Sequence, residues 1–235
     1  MPDSVGNFIL AKKLPVKNIA LLQEALTHSS WAYEQFAQGA ADNERLEYLG
    51  DAVLQLSVST ALYHIEPPLP EGQMSKLRAL LVCETTLARL ARKLSLGDYL
   101  LLGHGEDMSG GREKDSNLSN SMEAIIAAIY LDSGFETAKA WILDLLEDDL
   151  QKALSGKLCY DYKSSLLEWG QAQPTHADIH FYIVHEEGPV HQRIFTSEVR
   201  LDGRAIASGR GSSKKEAEQA AAREALSILQ EDAKP

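Results

Sequence analysis

The 235-residue chain has only two cysteines, Cys83 and Cys159, too few for a disulfide framework and without zinc-finger spacing. A reducing compartment, the cytoplasm, fits that usage. Long apolar runs are also missing. The longest, Ala124 to Leu131, is too short to span a membrane, so no membrane association is expected. Lys12 and Lys13 near the N-terminus are not followed by an apolar segment, so no secretion signal is read. Cations are in deficit: the net charge of −11 argues against non-specific binding of a polyanion over the whole surface, although a local basic edge can still bind one. Internal repeats and low-complexity tracts are absent. Gly103 to Ser119 is polar and rich in glycine and charge, but it lacks the Gly-Lys-Ser/Thr ending of a phosphate-cradling loop. No Glu-x-x-His pair supports a di-iron bundle.

What is present is an apolar content of 44%, sufficient for a packed core, and a length suited to two domains or one large one. The chain turns on the stretch Asn43-Glu44-Arg45-Leu46-Glu47-Tyr48-Leu49-Gly50-Asp51-Ala52-Val53-Leu54. As a helix it stacks Glu44, Glu47 and Asp51 on one face at i, i+3 and i+7, with Leu46, Leu49, Val53 and Leu56 forming a core-facing stripe. Three carboxylates with only Arg45 nearby repel one another. Such a face is either solvated or filled by a cation, a divalent metal being the simplest.

The first 150 residues read as almost entirely helical. Helices are expected over about Ile19 to Phe36, from Asn43 as N-cap to about Ile65, over about Met74 to Leu94, Leu118 to Ser133 and Glu136 to about Leu154. Prolines at 67, 68 and 70 end the second of these. Glu123 is the only acid in otherwise apolar surroundings, and Asn120 lies three residues before it on the same face. Beyond Ser155-Gly156-Lys157 the pattern changes. A helix over Tyr162 to Gln171 precedes strands over Ile179 to His185, Arg193 to Leu201 and Arg204 to Ser208, with an Asp202-Gly203 hairpin turn between the last two. Ser213-Lys214-Lys215-Glu216 has the form of a capping box opening a final helix to about Leu229.

The twelve-residue stretch resembles the signature of ribonuclease III, the double-stranded-RNA endonuclease, nearly position for position. Leu26-Thr27-His28-Ser29-Ser30 and the segment Glu123 to Asp132 also match, His28 reading as a hydrogen-bonded packing histidine. The C-terminal pattern resembles the double-stranded-RNA-binding domain through Lys163, Leu166, Glu168, Gln171, the loop Gly188-Pro189-Val190-His191, and Gly211 to Ala221. The resemblance implies an all-α endonuclease domain over residues 1–154, a linker over 155–160 and a small α+β domain of α-β-β-β-α order over 161–231.

It also implies roles. Glu47, Asp51, Asn120 and Glu123 would bind Mg²⁺, with Mn²⁺ able to substitute. Asp51, Glu123 and Glu44 would be catalytic, and Glu71 a supporting acid. Cleavage of double-stranded RNA would leave 5′-phosphate and 3′-hydroxyl ends, in ribosomal and messenger RNA processing. The catalytic domain would be a homodimer, for which Tyr48 is either a contact aromatic or simply a core aromatic. Gly103 to Ser119 resembles a mobile loop before the last catalytic helix. Lys163, Glu168, Gln171, His191, Lys214 and Lys215 would contact RNA. Two positions depart from the family pattern: Asn120 where Asp is usual, and Leu167 where a polar groove contact is common. A non-catalytic RNA-binding regulator is the competing expectation, and Asn120 is its only support.

Overall fold

The structure is a computed structural model that describes residues 5–8, 12–35, 40–155, 161–173, 176–189 and 192–232, the side chains of 230–232 excepted. It divides into two compact units, Met1–Leu158 and Cys159–Pro235. No helix of the described residues is long and apolar enough to cross a membrane.

In the first unit the helices are α1 (Ile19–Ala25), α2 (Ser29–Glu34), α3 (Glu44–Tyr63), α4 (Glu71–Val82), α5 (Glu84–Lys93), α6 (His104–Met108), α7 (Asp115–Ser133) and α8 (Phe135–Leu154), with 3-10 turns at Leu96–Tyr99 and Gly111–Glu113. The centre is α7. From Asn117 to Ile129 every residue is buried except Asn120 and Glu123, as expected of a helix that neighbours surround on nearly all sides. Its Leu118, Met122, Ile125 and Ile129 join Val53, Leu54 and Val58 of α3 and Leu87 and Leu90 of α5 in one core.

Several expected elements differ. The single helix over Ile19 to Phe36 is two, because Thr27 leaves the helix to bridge Leu101, with His28 N–H donating to Leu101 O at 3.0 Å. His28 then N-caps α2, its Nδ1 accepting from Ser30 N–H at 3.2 Å; Phe36 lies outside the described residues. The helix over Met74 to Leu94 breaks at Cys83, whose backbone is extended (ψ 157°). There the Thr86 hydroxyl donates to Leu80 O at 2.6 Å, taking up a carbonyl that the break leaves open. The segment expected as a loop before α7 is largely helical. Arg112 Nη1 donates to Gly97 O and Leu100 O, each at 2.9 Å, and Asn117 Nδ2 to Glu106 Oε1 at 2.8 Å. Leu56 faces solvent at 56% exposure rather than joining the core stripe. Tyr48 is 84% exposed, which removes the core-aromatic alternative.

The second unit is α9 (Tyr162–Ala172), an antiparallel sheet of β1 (Ile179–Glu187), β2 (Ile194–Leu201) and β3 (Arg204–Gly211) in that order, and α10 (Lys214–Asp232). Asp202 and Gly203 both take positive φ (48° and 78°), the backbone that a two-residue hairpin loop requires. Leu166, Val199, Ala221, Ala222 and Ala225 make the core. The alanines let α10 lie close on the sheet: a Cβ added at Gly209 would stand 2.1 Å from Ala221 N. The capping box forms, with Ser213 Oγ accepting from Glu216 N–H at 3.2 Å and Glu216 Oε2 accepting from Ser212 N–H at 2.8 Å.

Candidate functional site

Two buried features make the acidic site possible. The first is Gly50, mid-helix in α3, where a glycine costs about 1 kcal/mol relative to alanine and so signals close packing. A Cβ at Gly50 would stand 1.8 Å from Glu123 O, so α3 and α7 touch backbone to backbone at that point. The second is Asn43. It was expected as the α3 N-cap, but it makes no side-chain cap; Asp42 Oδ1 instead accepts from Glu44 N–H at 3.2 Å. Asn43 is buried and its Nδ2 donates to Ala25 O and Ser121 Oγ, both at 3.2 Å, joining α1, α3 and α7. Neither role was read from the sequence. The mid-helix glycine was the available signal for the first, and nothing local signals the second.

With the helices so fixed, Glu44, Glu47, Tyr48, Asp51, Asn120 and Glu123 line one open pocket of about 490 Å³. All the sequence-derived metal and catalytic residues are therefore gathered there. Glu71 is not: it lines another cavity with Ser59, Tyr63 and Arg78, and its Oε1 accepts from Ser75 Oγ at 2.8 Å. Ser59 is two turns beyond Asp51 along α3, about 12 Å at 1.5 Å per residue, so within one chain Glu71 stands outside the acidic pocket.

The pocket is short of positive charge. Arg45 points instead into the neighbouring cleft beside Leu21, Leu46 and Leu49. Burial pushes the Glu123 carboxyl up from 4.5 to about 8, and the negative charges of Asp51 and Glu47 add to this. Burial likewise raises Glu47; Glu44 and Asp51 add to the rise, while a hydrogen bond from Asn120 opposes it. Without a cation, the cluster thus relieves its repulsion by holding a proton.

As a donor set, three carboxylates and one amide oxygen suit a hard divalent ion such as Mg²⁺ or Mn²⁺ rather than zinc. The donors are not closed on a centre. Among the described residues, no three Asp, Glu, His or Cys side chains are drawn together tightly enough to hold an ion. Asp51 is turned towards Gln55, whose Nε2 donates to both carboxylate oxygens at 2.9 and 3.0 Å.

In the second unit, Lys214 and Lys215 are exposed in the first turn of α10, and Glu168 and Gln171 are exposed on α9 at i and i+3. Lys163 is drawn inward, its Nζ 2.6 Å from Glu218 Oε2 and 4.8 Å from the Phe181 ring centre. His191 lies outside the described residues, as does 156–160 of the expected linker. Leu167 is half-buried.

Residues 18–150 match the family model "Ribonuclease-III-like" and residues 162–229 match "Double-stranded RNA binding motif". A protein called Ribonuclease 3 from Caldanaerobacter subterraneus is 48% identical over 213 residues, covering 91% of this chain and 92% of its own. Another from Pelotomaculum thermopropionicum is 44% identical, covering 96% and 95%. The nuclease domain of ribonuclease III from Campylobacter jejuni superposes with a TM-score of 0.56 at 44% identity, over 60% of this chain and 95% of that domain. The helical acidic domain, the α-β-β-β-α domain behind it and near full-length identity to these relatives agree: the chain belongs to the ribonuclease III family of enzymes.

Proposed function

We propose that the protein is an endonuclease that hydrolyses double-stranded RNA at the acidic pocket with Mg²⁺, or Mn²⁺ in its place, leaving 5′-phosphate and 3′-hydroxyl ends. One observation carries the reading: Glu47, Asp51, Asn120 and Glu123 converge from two tightly packed helices on a pocket that has no basic side chain among its described lining residues.

Glu47, Asp51 and Glu123 would hold the ion with the Asn120 amide oxygen, and exposed Glu44 would support them from the pocket edge. When bound, the ion supplies Lewis-acid polarisation of the phosphate and lowers the pKa of water. The chain's own contribution is positional. Glu123 would be held deprotonated beside a bound cation. Asp51 would turn from its Gln55 hydrogen bonds to help hold it. The open mouth admits a backbone phosphate without requiring a base to leave the stack. Catalysis of this kind depends on placement of the reacting groups to within an ångström.

Duplex recognition is assigned to the second unit. Lys214 and Lys215 add their charge to the free N–H groups and dipole of the α10 N-terminus, a phosphate-binding arrangement. Glu168 and Gln171 on α9, and His191 in the β1–β2 loop, would reach ribose hydroxyls and base edges in successive minor grooves. Such contacts read A-form shape over about 16 bp with little sequence preference. Lys163 would act at the margin of this surface, since Glu218 already holds it.

Homodimerisation through the catalytic domain is supported by exposed Tyr48, which stands at a cleft of about 660 Å³ walled by Leu21, Leu46, Leu49 and Leu131. The Campylobacter jejuni nuclease domain is itself described in terms of dimer formation. Two sites in a dimer would cut both strands and leave short 3′ overhangs. Processing of ribosomal and messenger RNA in the cytoplasm is the corresponding role.

The test separates chemistry from binding. Glu123→Gln removes the one carboxylate that α7 offers to the pocket. It should abolish cutting of a perfect duplex at saturating Mg²⁺ while leaving duplex affinity, measured in chelator, within about twofold. Cutting at the wild-type rate would reject the metal-site assignment.

A further inference from the structure

At the end of the sheet next to the α10 N-terminus, a carboxylate stands against Lys214. Glu186, Phe195 and Gly211 sit in one row across the three strands, Glu186 paired with Phe195 and Phe195 with Gly211. Lys214, three residues beyond Gly211, stands with its ammonium 5.8 Å from the Phe195 ring centre and 3.4 Å from Glu186 Oε1. The other carboxylate oxygen, Oε2, faces Arg193 Nη1 at 3.5 Å. The neighbouring Glu187 pairs with Arg210. Three cations at this corner are therefore met by two carboxylates, and the pairing is fixed by strand register as well as by flexible side chains.

We propose that Glu186 is an internal phosphate mimic that restrains RNA affinity: duplex binding at this corner is an exchange in which a backbone phosphate displaces the Glu186 carboxylate from Lys214. The inference rests on the assignment of Lys214 as a phosphate contact. Glu186 stands two residues before the Gly188-Pro189 start of the β1–β2 loop, so on that assignment its carboxylate borders the RNA backbone. A phosphate arriving at Lys214 must displace the carboxylate or bind beside it, and either weakens association. All five side chains are well exposed, between 38% and 62%. Exchange is therefore easy, and the restraint is worth only a few-fold in affinity, as for other exposed pairs. The freed carboxylate recruits a cation from solution, which offsets part of the counterion release that Lys214 causes. The observed salt dependence should thus be shallower than the count of phosphate contacts implies.

The experiment is a double-mutant cycle on the full chain, with a perfect RNA duplex in chelator so that no cutting occurs, read by fluorescence anisotropy across a potassium chloride series. Glu186→Gln should tighten binding about two- to fivefold near 0.15 M salt and steepen the slope of log affinity against log salt by up to roughly one charge unit. In a Lys214→Ala background the same substitution should change affinity by less than about 1.5-fold, because Glu186 then keeps only its Arg193 pair and its residual repulsion of the RNA backbone, between exposed charges, is largely screened at that salt. An equal gain in both backgrounds would mean diffuse charge repulsion and would overturn the exchange. No gain in either would overturn it too. If Lys214→Ala alone left affinity and slope unchanged, the assignment of Lys214 would fail and take the inference with it. If the unmutated chain did not bind the duplex, the functional reading itself would fail.

Discussion

Replacing Gly50 with alanine tests whether the contact between α3 and α7 builds the site. The new Cβ would stand 1.8 Å from Glu123 O and 2.5 Å from Glu123 C. Ordinary contacts of this kind lie near 3.5 Å, so the helices must part by more than 1 Å. The obstacle is backbone, which cannot turn aside like a side chain. Overpacking of this sort costs about 1–3 kcal/mol, and the parted helices also lose contacts around buried Val53, Leu54 and Ile126. Alanine's higher helix propensity returns about 1 kcal/mol. A net loss of about 1–2 kcal/mol should lower the melting temperature by roughly 2–8 °C for a domain of this size. The same shift moves Glu123 away from Asp51, and a misplacement of about 1 Å can cost on the order of 10²-fold in rate. Gly72→Ala is the control, because a Cβ there meets nothing within 4 Å. Thermal melts and duplex-cleavage rates of both variants decide the matter. Wild-type melting and cutting by Gly50→Ala would refute the argument that close backbone packing places the carboxylates.

Three further outcomes are expected. The Glu123 carboxyl titrates at about 8 when folded against an ordinary 4.5, so the folded protein binds more protons over that window; its contribution to stability is complete below about 4.5 and is lost as the pH rises through about 8. The full displacement would be worth ~5 kcal/mol, reduced by solvent screening to about 1–2 kcal/mol. Melts in chelator at pH 5.5 and 8.5 should therefore show a smaller loss for Glu123→Gln than for the wild type, and equal losses would contradict the cause given for the shift. Asn120→Asp adds a charge whose upper-bound worth at 4 Å is about 4 kcal/mol; a third of that lowers the Mg²⁺ concentration for half-maximal cutting by roughly tenfold, and identical metal titrations would place Asn120 outside the coordination. Lys214→Ala with Lys215→Ala should weaken binding of unrelated duplexes about equally and flatten the salt dependence, whereas loss confined to one sequence would reject phosphate contact.

The parts of the site that follow a local rule were legible in the sequence. The i, i+3, i+7 carboxylates of α3, the Asn120–Glu123 pair on an apolar helix, the Asp202-Gly203 turn and the Ser213–Glu216 cap each depend on neighbours within one or two turns. What escaped depends on distant partners. The break at Thr27 exists because Leu101 pairs with it, and Asn43 is buried because Ala25 and Ser121 accept its amide. Leu56 fits the helical stripe by spacing, yet no described element covers it. That Glu71 emerges beside Ser59 rather than Asp51 of its own chain depends likewise on a distant contact, the packing of α4 along α3. Lys163 reads as a free cation until the fold brings Glu218 to it.

The central claim is that this acidic pocket cuts double-stranded RNA with a divalent ion. The most direct measurement is cleavage of an end-labelled perfect RNA duplex, and of one of its strands alone, each with Mg²⁺ and with chelator. The duplex should be cut with Mg²⁺ and left intact in chelator, with little or no cutting of the single strand. Duplex cutting that persisted in chelator, or an intact duplex at saturating Mg²⁺, would contradict the claim.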